Sequence, residues 1–139
     1  MIIDVEDAFI NYFTTNMVSL VGHGNGTVGL YRTKFPDDGW NEGVAFHAEL
    51  RESHGSVYEI EKIALRVKVR TTDKQHTFIL MQNADDLLDR YVHKNLDSNV
   101  EMCLAKRNSG PDFFPGENDG FQYGIALYSI TVRWRGNDA

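Results

Sequence analysis

The sequence has one cysteine, three prolines and no long run of apolar residues. With only Cys103, the chain cannot form an intrachain disulfide, and a reducing compartment is the expected environment. The longest apolar runs, such as residues 78–81, are far too short to cross a bilayer. Asp4, Glu6 and Asp7 stand where an export signal would carry basic side chains, so we expect no signal peptide.

Basic side chains are also in deficit. The chain has 14 Lys and Arg against 20 Asp and Glu, which gives a formal net charge of −6. That balance argues against a surface that grips nucleic acid, because such a surface needs clustered Lys and Arg. It is compatible with DNA passing close by without binding, since an acidic wall repels phosphates. The length of 139 residues and the 42% hydrophobic content predict one globular domain over residues 1–139.

Signatures of catalysis and of metal binding are missing from the sequence. The GHGNG segment, residues 22–26, looks like a phosphate loop, but it follows an expected helix and precedes an expected strand. That order is the reverse of the one that points helix N–H groups at an anion. No two of the five histidines have the spacing of a helical zinc motif, and there is no Gly-x-Ser-x-Gly elbow. We therefore predict no enzyme and no catalytic, metal-binding or cofactor-binding residue.

Hydrophobic periodicity predicts two helices and five strands. Helical spacing of apolar residues covers residues 3–21 and about 74–94. The expected buried stripes are Val5, Phe9, Tyr12, Phe13, Met17, Leu20 and Val21 in the first helix, and Phe78, Met81, Ala84, Leu87, Leu88 and Tyr91 in the second. Alternation predicts strands over 27–33, 44–51, 57–70, 100–105 and 121–135. Both helices are amphipathic and every strand has one polar face. The expected fold is therefore α+β, an antiparallel or mixed sheet of about five strands with two helices packed on one face.

Three details of this layout are expected to be irregular. The third strand alternates strictly only from Ile63, which predicts a bend or bulge near residues 59–61. The apolar parity of the last strand switches after Leu127, which predicts a bulge near Tyr128 and Ser129. The turn from the third strand into the second helix, residues 71–74, has no glycine, and we interpret it as scaffold.

Large aromatic side chains stand in two expected loops, residues 35–40 and 108–116. Exposed aromatics on loops are typical of protein–protein contacts, although the same side chains can fold back to cap the core. A row of Arg66, Lys68 and Arg70 on one strand face is a further candidate, as the outer or interfacial face of the sheet matched to acids of a neighbour. An RNA-binding sheet would interleave aromatics with such a row, whereas here the alternate residues are aliphatic. The candidate protein–protein contact residues are Asp37, Asp38, Trp40, Arg66, Lys68, Arg70, Phe113 and Phe114.

Two weaker clusters leave alternatives open. His47 and Glu49 share a strand face and, with the aromatic loops, are compatible with a small ligand-binding or enzymatic α+β domain. A solvated strand face is the commoner explanation. Asp85 and Asp89 lie one turn apart on the second helix, and a solvated helix face is the simplest interpretation of that spacing.

The succession of segments is itself distinctive. An N-terminal helix is followed by a short strand and a Pro-Asp-Asp loop, then by RVKVRTTD leading into a helix that ends NADDLLDRY. GPDFFPGENDGFQY precedes a long last strand that ends in an aromatic and a basic residue. Over nearly its full length this pattern of hydrophobicity and turn residues resembles the tail terminator and minor capsid proteins of long-tailed, siphovirus-type bacteriophages.

The resemblance implies a structural virion protein at the head-proximal end of the tail. Such a protein forms a homohexameric ring that stops tail-tube polymerisation and provides the surface for head–tail joining. Its partners would be the tail-tube protein and a head-completion or neck protein, with DNA passing through the ring without specific binding and no membrane partner. It would reside in the host cytoplasm during assembly. A head-completion, stopper or minor capsid protein at the neck is the nearest alternative.

Overall fold

The computed structural model describes residues 2–16, 29–32, 34–35, 42–53, 60–88, 94–96, 100–117 and 120–134. The elements in chain order are α1 (Ile2–Asn16), β1 (Gly29–Arg32), β2 (Gly43–Ser53), β3 (Ile60–Thr71), α2 (Lys74–Leu88), β4 (Lys94–Asn95), β5 (Val100–Pro115) and β6 (Gln122–Trp134). The strands form one sheet in the order β1-β2-β3-β6-β5-β4. β1 is parallel to β2 and every other pair is antiparallel. The expected α+β fold is confirmed, with β4 as a two-residue addition to the sheet.

Both helices pack on the same face of this sheet. Phe46 of β2 lies next to Val67 of β3, which in turn pairs with a residue of β6, so their side chains share a face. On that face α1 places Phe9 and Phe13 against Phe46, with ring centroids 6.4 Å and 4.7 Å away. Tyr128 lies on the same face of β6, two residues beyond the partner of Val67, and its hydroxyl group contacts α2. The core therefore lies between the two helices and one side of the sheet.

The two helices match their predicted apolar stripes to different degrees. In α1, Val5, Phe9 and Phe13 are fully buried as predicted, and residues 17–21 lie outside the described part of the chain. In α2 the prediction is wrong at one position, because Leu80 is buried and Phe78 is 42% exposed. Residues 89–93 lie outside the described part of the chain, and the predicted helix end at about residue 94 is wrong because residues 94–95 form β4.

Strand β6 has no bulge, contrary to the prediction. It pairs with β3 without a register shift from Arg133 to Gln122. The even-numbered residues from 124 to 132 face the core, and Tyr128 is only 1% exposed. Ile125 and Leu127 point to the opposite face. The switch of apolar parity in the sequence therefore marks a strand with apolar side chains on both faces.

Strand β5 replaces the predicted loop over residues 108–116. It continues to residue 115 because three register shifts absorb its extra residues while it stays paired with β6. Gly110 has a φ of +86°, and a Cβ atom there would lie 2.6 Å from the carbonyl oxygen of Ile125, so only glycine fits. The predicted bulge near residues 59–61 is absent from the described part of β3, and the shift lies in β2 between Leu50 and Glu52.

The glycine-free turn between β3 and α2 is held by side chains. Glu42 is only 2% exposed. Its carboxylate accepts hydrogen bonds from the Thr72 N–H at 2.8 Å and from the Thr72 hydroxyl group at 3.1 Å. The Thr71 and Thr77 hydroxyl oxygens lie 2.7 Å apart. These bonds join the end of β3 to the first turn of α2, which is consistent with a scaffold role.

Candidate functional site

The side of the sheet that faces away from the helices forms a broad surface, which we call the open face. Its members follow from the alternation of side chains and from the register of β2, β3, β6 and β5. They are Ala45, His47, Glu49, Lys62, Ala64, Arg66, Lys68, Arg70, Tyr123, Ile125, Leu127, Ser129, Thr131, Arg133, Glu101, Leu104, Lys106, Ser109, Asp112 and Phe114.

Charge on the open face is mostly positive, although the whole chain is acidic. The predicted row of Arg66, Lys68 and Arg70 does lie along one face of β3, and Lys62 extends it. Lys106 of β5 adds a further positive charge. With Arg133, the described open face has six basic residues, of which Arg70 is buried, against three acidic ones at positions 49, 101 and 112. The surface therefore suits an acidic partner better than a basic one.

Apolar side chains are exposed on the same face. Leu127 is 41% exposed, Leu104 38% and Phe114 40%. The Phe114 and Tyr123 rings stack with centroids 5.4 Å apart, and the Lys68 ammonium lies 4.9 Å from the Tyr123 ring centroid. These exposed apolar side chains are spread along the face, and they make it a candidate interaction surface. The sequence signal for them was the alternation of residues 123, 125 and 127.

Arg70 is buried, so its prediction as an exposed contact residue is wrong. The residue is 7% exposed, and its guanidinium carbon lies 4.5 Å from the Phe35 ring centroid and 4.4 Å from that of Phe121. A cation between two aromatic faces is stabilised by both. Arg70 thus anchors the chain after β1 and before β6. The other loop candidates, Asp37, Asp38 and Trp40, lie outside the described residues.

The two adjacent phenylalanines have different surroundings. Successive strand residues point to opposite faces, so Phe113 faces the helix side and Phe114 the open face. Phe113 is half-buried against the core, and its ring meets that of Phe78 edge-on at 4.3 Å. A shallow groove of about 200 Å³, which we call the aromatic groove, lies at this end of the sheet. It is lined by both phenylalanines, Phe78, Tyr123 and neighbouring side chains.

Parts of the outward-facing backbone of the described β2 and β5 are covered or irregular, which hinders pairing with another strand there. On β2, β1 covers residues 43–46, and just beyond it the buried Glu6 carboxylate accepts the Ala48 N–H at 2.8 Å. On β5, the described β4 covers only residues 101 and 102. The remainder of that edge is irregular and carries exposed Lys106 and Arg107. Charges, irregular register and covered N–H groups are devices that block strand addition.

Asp85 of α2 is tied to the sheet, so the prediction of a solvated helix face is wrong at this residue. Its carboxylate accepts a hydrogen bond from the Tyr128 hydroxyl at 2.8 Å and another from Arg107 Nη1 at 2.9 Å. The neighbouring Asp86 is exposed and accepts a hydrogen bond from the Gln82 side chain at 3.0 Å. Asp89 lies outside the described residues.

The alternative of a ligand-binding or enzymatic domain involves His47 and Glu49, which lie in a different part of the open face. His47 Nδ1 lies 3.8 Å from a Glu6 carboxylate oxygen, and Nε2 lies 3.5 Å from one of Glu49. Neither His47 nor Glu49 lines the aromatic groove. In the part of the chain that the structure describes, no group of three or more His, Cys, Asp and Glu is placed to hold a metal ion.

Comparison with known proteins adds no relative. No protein-family model matches the chain, and a search of the curated proteins finds no match. None of the described helices is long and apolar enough to span a membrane. The open face and the aromatic groove are therefore the features from which a function is inferred.

Proposed function

We propose that the chain is a structural virion protein, the tail terminator of a long-tailed bacteriophage. It forms a homohexameric ring at the head-proximal end of the tail tube, stops tube polymerisation and presents the surface for head–tail joining. The observation that supports this most directly is the open face, which combines apolar and basic side chains on a sheet where parts of β2 and β5 are protected from strand pairing. A ring subunit needs faces that bind its neighbours, and open edges would allow unlimited strand pairing instead.

The charge distribution supports the same function. If neighbours cover the open face, basic side chains such as Lys62 and Arg66 leave the outer surface of the ring. The surface that remains is then more acidic than the net charge of −6 alone implies. Such a channel wall repels phosphate groups, so DNA slides through without binding.

The experiment that tests the proposal combines negative-stain microscopy with light scattering. The purified protein is examined alone and with purified tail tubes. We expect rings, or a cap at one end of each tube, and shorter tubes when the protein is added during polymerisation of the tube protein. The matched control is a chain carrying Asn11→Arg, an exposed position on α1 that leaves the open face unchanged.

Two outcomes contradict the terminator function. Binding to purified heads without binding to tubes identifies a head-completion or neck protein. A protein that ignores heads and tubes, binds a small molecule stoichiometrically and loses that binding with His47→Ala is the ligand-binding domain of the other class.

A further inference from the structure

We propose that the open face of one copy packs against the outer face of α2 in a second copy. The outer face of α2 is defined by Gln75, Ile79, Gln82 and Asp86, which are all exposed and follow one another at helical spacing. This inference rests on the proposed ring and specifies the contact that builds it. Because α2 covers the core side of the sheet, the two surfaces lie on opposite sides of the subunit.

The two surfaces complement each other in chemistry. On α2, Ile79 is 46% exposed and is the apolar centre of the outer face, and Asp86 brings a carboxylate. On the open face, Leu127 is 41% exposed and Lys106 brings an ammonium group. Burying two exposed aliphatic side chains against each other stabilises association, and the charges favour one orientation of the helix on the sheet.

The spacing of these groups also agrees. Ile79 and Asp86 are seven residues apart, which is about 10 Å along a helix axis. Lys106 of β5 pairs with Ser129 of β6, and Ser129 is two residues beyond Leu127 along β6. The backbone separation of Leu127 and Lys106 is therefore about 8 Å, from two residues along one strand and one step across to the next. An isoleucine seated on Leu127 thus brings the carboxylate within reach of the flexible lysine.

The sheet edges and the exposed aliphatic groups favour this occupant over others. Strand addition is hindered at β2, where the Glu6 carboxylate accepts the Ala48 N–H, and along the irregular, charged β5. Single-stranded nucleic acid would use the basic row and the stacked Phe114 and Tyr123. It would leave the aliphatic Leu127 without an apolar partner, whereas a helix that carries both an aliphatic and an acidic side chain provides partners for Leu127 and for Lys106.

The contact is heterologous, because each copy binds one neighbour through its open face and another through the outer face of α2. A repeated heterologous contact closes into a ring or grows as a filament, depending on the rotation between neighbours. It leaves one unused face at each end of any open assembly. This property separates the proposed contact from a two-fold dimer, in which both copies use the same patch.

The test uses two variants that each remove one face. Leu127→Arg disables the open face and Ile79→Arg disables the outer face of α2, and both sites are exposed enough to accept arginine. We expect each variant alone to associate about 10- to 100-fold more weakly than the wild type, the usual range for a central interface side chain. An equimolar mixture of the two variants should form dimers, because each supplies the face that the other lacks. Sedimentation velocity measures the species, and circular dichroism confirms that both variants fold.

A charge exchange provides an independent arm. Lys106→Glu and Asp86→Lys should each weaken association, and the chain carrying both changes should recover it. Asn11→Arg is the control, since it adds the same type of charge to an exposed helix position outside both faces. It should associate like the wild type.

Several outcomes overturn the proposed contact. These are a wild type that stays monomeric at millimolar concentration, single variants that associate normally, and a mixture of variants that stays monomeric. Salt-sensitive binding of oligo-dT that is lost with Lys106→Glu assigns the face to nucleic acid instead. Tubes capped as well by Leu127→Arg as by the wild type refute the contact and leave the terminator function standing. Mixed dimers from a protein that never caps tubes refute the terminator function and leave the contact standing.

Discussion

Replacing Phe113 and Phe114 with serine, one at a time, separates a core role from a contact role in adjacent residues. Truncating a buried phenylalanine costs about 3–5 kcal/mol, which includes the cavity left behind. Phe113 is half-buried against the core, so we expect Phe113→Ser to lower the free energy of unfolding by about 2–4 kcal/mol. Phe114 is 40% exposed, and water fills the space it leaves, so the main loss is its stacking on Tyr123, about 1 kcal/mol.

The expected difference in unfolding free energy between these two variants comes from the cavity that Phe113→Ser leaves in the core. Buried area alone would predict similar losses of stability for the two variants, because more than half of the Phe114 surface is also buried. Urea unfolding followed by circular dichroism gives both free energies, and a loss of 3 kcal/mol corresponds to a fall in Tm of about 10 °C. Phe78→Ser, alone and combined with Phe113→Ser, measures the coupling across the edge-on ring pair, for which we expect about 1 kcal/mol. Equal losses for Phe113→Ser and Phe114→Ser, or a larger one for Phe114→Ser, would refute the assignment.

Three further variants test the contacts that hold the sheet. Tyr128→Phe removes the hydroxyl donor to Asp85 and should lower the free energy of unfolding by about 1.5–3 kcal/mol, because the acceptor is charged; an unchanged urea midpoint contradicts this. Glu6→Ala leaves the Ala48 N–H without its acceptor, so we expect a loss of about 1–3 kcal/mol and more light scattering on heating, while the variant with Gln, which keeps a carbonyl oxygen, should aggregate less. Arg70→Met keeps the apolar stem but removes the cation between two rings, and a thermal scan should show a loss of about 2 kcal/mol, with the Lys variant in between. A Met variant as stable as the wild type would refute the clamp.

The sequence predicts most of the fold where a segment is amphipathic. The α1 stripe and the alternation in β3 have one apolar and one polar side, and the structure has them in the predicted places. In α2 the stripe is displaced to Leu80 because Phe78 packs against Phe113, a contact with a residue far away in the sequence. Periodicity within a helix carries no information about such a partner.

Strand β5 shows a second limit, at residues whose composition is typical of turns. Asn108, Ser109, Gly110 and Pro111 predict a loop, yet they belong to a strand paired with β6. Two of the register shifts fall within or beside this segment, and a proline is tolerated because the described β5 has an outer edge there with no strand to bond. Pairing along the whole hairpin outweighs the local preference.

The failure in β6 is the most informative, because it coincides with the candidate contact surface. Alternation identifies a half-buried strand only when the other face is polar. In β6, Ala126 and Tyr128 face the core while Ile125 and Leu127 face away from it, so the pattern imitates a bulge. Exposed apolar side chains on a sheet face favour association or aggregation of an isolated subunit in water. The sequence rule for a half-buried strand therefore fails at the surface that we propose as a contact, and the residues at which it fails, Leu127 first, are the ones to change.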